Sequence, residues 1–197
     1  MQTLYLIRHT TPDIAPGLCY GQLDIDVSDS FEEEAANVLH WLPPLDIIIS
    51  SPLLRTRRLA KFLATTANCK LERSGRNVSS GHRTAYPLRV QTDLRLMEKH
   101  FGAWEGRAWD DIERTEIDAW AADVMGYAPP CGESAQQLMQ RVQALLRDLA
   151  QLPRQNIALV AHGGTIRAIL AQLACVPLTN TLNWKIDYGA VIGVKPA

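Results

Sequence analysis

Two histidines near opposite ends of the chain have neighbours suited to holding an anion. Arg8-His9-Thr10-Thr11-Pro12 follows one short apolar run, and His162-Gly163-Gly164-Thr165 follows another. A guanidinium grips a tetrahedral oxyanion through two parallel N–H bonds, and a glycine pair lets backbone N–H groups approach one closely. Two imidazoles facing one pocket beside Arg8 make phosphate the natural guess. A lone histidine at a strand end is more often an ordinary hydrogen-bonded residue, and His40, His82 and His100 are read that way. His9 and His162 differ because arginine directly precedes the one and a glycine pair directly follows the other.

For these residues to meet, the strands that carry them must be neighbours. Thr3 to Ile7 and Asn156 to Ala161 read as buried strands, joined by others at Leu45 to Ile49, near Arg89 to Gln91, at Trp184 to Ile186 and at Ala190 to Val194. Helices are expected from Phe31 to Trp41 and from Ser134 to Gln151. Each opens on a capping-box pattern, Ser30 with Glu33 and Ser134 with Gln137. Further helices are expected over Leu54 to Thr66, Trp109 to Val124 and, after a Gly163-Gly164 turn, Thr165 to Ala174. Alternating strands and helices predict a three-layer α/β/α sandwich with a mostly parallel central sheet. Ligands of such sheets collect outside the carboxyl ends of the strands, where neighbouring strand ends lie about 5 to 10 Å apart. Thr10 to Ser30 reads as a long functional loop. The polar run from Arg73 to Ala85 reads as a flexible insertion near 73–86 within a single domain spanning 1–197.

Composition narrows the partners. The 197 residues are 47% hydrophobic and 21% charged with a net charge of -1, so no broad field attracts nucleic acid. The longest apolar runs fall far short of the roughly 20 residues that span a bilayer, so no membrane partner is expected. The start, Met1-Gln2-Thr3-Leu4, lacks the pattern of an export signal, which predicts a cytoplasmic protein. The four cysteines form no C-x-x-C pair and no Asp cluster suggests a two-metal site, so reduced thiols, no metal and no cofactor are expected.

Five ordered segments resemble the histidine phosphatase superfamily, which also contains the cofactor-dependent phosphoglycerate mutases. They are Leu6-Ile7-Arg8-His9-Thr10, Ser50-Ser51-Pro52-Leu53-Leu54-Arg55, Glu98 with Phe101-Gly102-Ala103-Trp104-Glu105-Gly106, Gly132-Glu133-Ser134, and Ala161-His162-Gly163-Gly164-Thr165-Ile166-Arg167. Within it, Gly17-Leu18-Cys19-Tyr20-Gly21-Gln22-Leu23-Asp24 and the Arg-His-Thr variant are most similar to α-ribazole phosphatases of cobalamin biosynthesis. The sequence departs from the pattern at Thr10, Leu59 and Cys131, where the resembled group commonly has Gly, Thr and Gly.

The resemblance implies a phosphoglycerate mutase-like fold and a small-molecule phosphate monoester as substrate. His9 would be phosphorylated, Arg8, Arg55 and a positively charged His162 would surround the phosphoryl oxygens, and Glu98 would protonate the leaving alkoxide. Thr10, Gln22 and Gly163 would add substrate contacts, although loop polar residues such as Thr10 and Gln22 usually satisfy the local backbone. Arg57 and Arg58 read as solvated charges and Trp104 as a packing anchor, while Cys19 and Tyr20 are candidates to line the substrate side of the pocket, a small buried thiol being the plainer account of Cys19. Alternative outcomes are a broad sugar-phosphate phosphatase, a phosphoglycerate mutase, a silent phospho-ligand binding module or a binuclear metal hydrolase. Oligomeric state is not legible.

Overall fold

A computed structural model describes residues 2–73, 88–153 and 156–196. Five strands form one sheet: β1 (Thr3–Arg8), β2 (Ile47–Ser50), β3 (Arg89–Thr92), β4 (Asn156–Ala161) and β5 (Val191–Val194). The order is β3-β2-β4-β1-β5, and all pairings are parallel except β1 with β5. Helices α1 (Phe31–His40), α2 (Leu54–Arg73), α3 (Arg114–Ala122), α4 (Ala135–Ala150) and α5 (Gly163–Leu173) complete the main elements. The expected three-layer sandwich is thus observed.

Alternation along the central strands divides the core between two faces. Leu4 and Leu6 of β1 and Ile157 and Leu159 of β4 pack with Leu138, Val142 and Leu145 of α4 and Ile166 and Ile169 of α5. Ile7, Ala158 and Val160 point the other way, onto Phe31, Ala35 and Val38 of α1 and Leu59 and Leu63 of α2. Both central strands are therefore covered on both faces, which explains their unbroken apolar runs. Such burial fixes register, because a one-residue slip would reverse every side chain.

Several expected boundaries shift. The Ser134–Gln137 capping box forms as expected, but Ser30 makes no side-chain bond to the α1 backbone and its hydroxyl donates to Glu34 Oε1 at 2.5 Å. Helix α2 runs on to Arg73 because no helix breaker precedes Ser74-Gly75. Except for Arg73, the insertion expected over 73–86 lies outside the described residues. The single helix expected over Trp109 to Val124 divides into a 3-10 turn at Trp109–Asp111 and α3. The glycine pair forms the first turn of α5 with His162 as its N-cap. Trp184 to Ile186 is no strand; it supplies carbonyls to two arginines instead. Among the described residues no helix is long and apolar enough to cross a membrane.

Candidate active site

The parallel pairing of β1 with β4 sets Arg8 opposite Ala161, so the next residue of each strand end, His9 and His162, emerges beside its counterpart. His9 N–H donates to Ala161 O at 3.1 Å, and the ring centroids stand 5.1 Å apart. Both side chains are buried, with 1% and 0% exposure. On the far side of β4, β2 ends beside it, and Ser51 N–H donates to Val160 O at 2.9 Å. Ser51 Oγ then lies 2.9 Å from His162 Nε2. Three adjacent strand ends thereby deliver Ser51, His162 and His9 in a row.

The hydrogen bond of His9 decides its chemistry. Its Nδ1 lies 2.6 Å from Thr10 O, and a carbonyl only accepts, so Nδ1 carries the proton and the Nε2 lone pair is left for attack. Burial, then Arg55 and Arg8, hold this imidazole well below the usual histidine range, and the bond to Thr10 opposes them only in part. Neutral His9 is the form a nucleophile needs. His162 is likewise pushed down, by burial first and then by His9, Arg55, Arg141 and Arg8. Burial and the flanking cations thus oppose the positive charge expected on His162 from the resemblance.

Arg55 is fully buried at the start of α2, where Nη1 donates to Leu23 O at 2.8 Å and Nη2 to Gly21 O at 2.7 Å. These bonds fasten the loop after β1 to the site. A Cβ on Gly21 would lie 2.0 Å from Lys99 O, so only glycine lets that loop pass. Arg8 Nη1 donates to Ile186 O at 2.6 Å, and its guanidinium carbon lies 3.9 Å from the Tyr188 ring centroid. Among the described residues, five buried side-chain polar atoms lack a hydrogen-bond partner. Four of them belong here: Arg8 Nε, Arg55 Nε, Thr10 Oγ1 and His162 Nδ1. An unsatisfied buried polar group costs about 1–3 kcal/mol, so four around one histidine pair mark a place shaped for an oxygen-rich guest.

Glu98 reaches the same corner by a route that spacing does not reveal. Its Oε2 accepts Gly164 N–H at 2.9 Å, and its Oε1 accepts Thr165 N–H at 3.1 Å and its own neighbour Lys99 N–H at 2.9 Å. The Glu98 carboxyl thus sits on the N-terminus of α5, in the turn that His162 caps. The Glu98 carbonyl accepts from Gln22 Nε2 and from Arg141 Nη2, each at 3.0 Å. Gln22 is accordingly engaged in positioning Glu98. Gly163, buried at the start of α5, lies against the Arg8 guanidinium.

Other candidates take the ordinary roles assigned to them. Arg57 is exposed and Arg58 pairs with Asp26 at 2.8 Å on the surface. Trp104 and Cys19 are buried together with Ile112, and burial followed by Glu105 pushes the Cys19 thiol up to about 12. Ser51 and Tyr188 are site residues that sequence reasoning did not single out. Ser51 stood within a quoted segment, whereas nothing in the sequence around Tyr188 signalled a site.

The fold is an α/β sandwich whose adjacent strand ends bring His9 and His162 together, with Arg8 and Arg55 close enough to lower the pKa of both imidazoles. The family model for the histidine phosphatase superfamily (branch 1) matches residues 4–197, and the chain belongs to that superfamily. It is a phosphoric monoester hydrolase. A glucosyl-3-phosphoglycerate phosphatase from Mycobacterium tuberculosis is 32% identical over 193 residues, covering 90% of this chain and 77% of the relative. The crystal structure of the α-ribazole phosphatase from Shigella flexneri superposes with a TM-score of 0.81 at 25% identity, covering 98% of this chain and 90% of that one. A mycobacterial glucosyl-3-phosphoglycerate phosphatase solved with VO3 gives a TM-score of 0.75 at 28% identity, covering 99% and 93%.

Proposed function

We propose that the protein cleaves a small phosphate monoester through a phosphohistidine on His9. His9 Nε2 attacks phosphorus in line with the ester oxygen; the N–P bond forms as the P–O bond to the alcohol breaks. Glu98 gives the departing alkoxide its proton, then takes one from the water that attacks phosphorus, breaking the N–P bond and releasing inorganic phosphate. Arg8 and Arg55 neutralise the equatorial oxygens through donors that have no other partner, and His162, steadied by Ser51, adds a contact through its ring. The observation that carries this reading is His9, whose Nδ1 lies 2.6 Å from Thr10 O so that Nε2 is left for attack, facing His162 at 5.1 Å amid those unpartnered polar atoms.

As substrate we infer α-ribazole 5'-phosphate, or adenosylcobalamin 5'-phosphate, in cobalamin biosynthesis. The likeness to the Shigella flexneri enzyme and the Cys19-Tyr20-Gly21 loop support this choice. The second reading is a phosphoglycerate or sugar-phosphate substrate, which the 32% identity to the mycobacterial phosphatase favours. Phosphate release should be compared for α-ribazole 5'-phosphate, 3-phosphoglycerate and glucosyl-3-phosphoglycerate at equal concentration. Comparable turnover of all three defeats the specific assignment. The mechanism is tested separately with His9→Ala: undiminished phosphate release by that variant overturns the phosphohistidine.

A further inference from the structure

The two arginines of the pocket each stand against a tyrosine. The Arg55 guanidinium carbon lies 5.4 Å from the Tyr20 ring centroid, and that of Arg8 lies 3.9 Å from Tyr188. Tyr20 belongs to the loop after β1, and Tyr188 to the segment before β5. Their hydroxyls meet at 2.7 Å. Gly189 N–H donates to His9 O at 3.1 Å, which holds Tyr188 beside the nucleophile with ring centroids 5.4 Å apart. Two segments distant in sequence are thus joined through phenols next to His9.

Both segments also expose apolar side chains. Among the described residues eight large hydrophobic side chains are exposed, and four of them, Leu23, Leu182, Trp184 and Tyr188, lie on these two segments. Lys185 and Asp187 pair with each other at 3.2 Å, Asp24 accepts Leu54 N–H, and Arg167 donates to the Trp184 carbonyl. Burial and the bond to Tyr188 raise the Tyr20 phenol above its ordinary range, so Tyr20 stays protonated.

We propose that Tyr20 and Tyr188 form the leaving-group subsite, and that it takes a phosphomonoester whose alcohol carries a planar aromatic ring system. The inference rests on the phosphomonoesterase reading, since it assigns a place to the alcohol that departs from His9. It is independent of which aromatic alcohol is the natural one. Tyr188 is 38% exposed, which leaves part of the ring open to stack on a planar group while Arg8 backs it.

AMP and ribose 5-phosphate offer the same phosphorylated sugar with and without a base, so the ratio of their kcat/KM values isolates the contribution of the ring. The native protein is expected to favour AMP by about tenfold, the effect of one stacked base. Tyr188→Leu should lower that ratio by about tenfold through KM for AMP, while Tyr188→Phe, which keeps the ring, should retain it. An equal ratio in the native protein and Tyr188→Leu, or no native preference for AMP, overturns the subsite. Phosphate release from p-nitrophenyl phosphate by the native protein separates that result from failure of the phosphomonoesterase reading, because absence of release from all three esters overturns both.

Discussion

Glu98 Oε2 accepts the backbone N–H of Gly164 at 2.9 Å, so the helix that His162 caps also holds the candidate acid in place. A Cβ on Gly164 would lie 2.4 Å from Glu98 Oε1, whereas one on Gly163 would meet nothing closer than 3.4 Å. Gly164→Ala should therefore displace the carboxylate and lower kcat on an alkyl phosphate by about tenfold to a hundredfold, as expected when a general acid is misplaced. Gly163→Ala should lose less. Kinetics of the two variants, with thermal midpoints recorded alongside, check this; equal losses would detach Glu98 from the chemistry.

Ser51 makes a second prediction. Ser51→Ala would leave His162 without its Nε2 partner, in addition to the Nδ1 that already lacks one. An orphaned buried nitrogen costs about 1–3 kcal/mol, and a ring free to turn no longer presents a fixed contact to the phosphoryl group. The denaturation midpoint should fall accordingly, and kcat should fall by about tenfold. A variant with native values of both would show that this hydrogen bond orients nothing.

The sheet and its histidine pair were legible because a strand buried on both faces announces itself as an apolar run, and because ligands of α/β sheets gather at strand ends. β4 runs from Asn156 to Ala161 as its sequence predicts. Legibility ended where partners come from distant segments. Gln22 has the composition of a phosphate donor, yet its amide is engaged by the Glu98 carbonyl. The charge expected on His162 from the resemblance meets opposition for a similar reason, since burial and neighbouring guanidinium groups are tertiary facts. Tyr188 went unread because only folding brings its ring beside His9.

Those depressed imidazoles fix the sign of a pH effect. In the unfolded chain both histidines titrate near 6.5, while in the folded protein His9 and His162 are held well below it. Below 6.5 the unfolded state binds the extra protons, so stability is full above that pH and declines as the solution is acidified toward the folded values. Each histidine contributes up to about 1.4 kcal/mol per pH unit over that window. Urea midpoints measured between pH 7.5 and 5.5 should fall with acid, and His162→Gln should flatten the slope. A slope unaltered by the substitution would contradict the burial argument.

Cys131 offers a gain in stability without a change in chemistry. It occupies φ +60°, a left-handed conformation in which an L side chain is crowded, where the resembled pattern has Gly. The segment is needed: Pro130 O accepts Ala103 N–H at 2.8 Å, and Glu133, two residues on, takes Arg141 Nη2 at 2.6 Å. Arg141 in turn donates to the Glu98 carbonyl, so this turn helps to set the position of the acid from a distance. Cys131→Gly relieves the crowding of the left-handed backbone, offset in part by the greater freedom of glycine in the unfolded chain. The expected net gain is about 0.5–1 kcal/mol in chemical denaturation with kcat unchanged, because the Cys131 side chain is exposed and outside the site. Cys131→Val should move stability the other way, since a β-branched side chain tolerates positive φ least. Equal stability of the Gly, Cys and Val forms would show that the turn relaxes in solution to a conformation with negative φ.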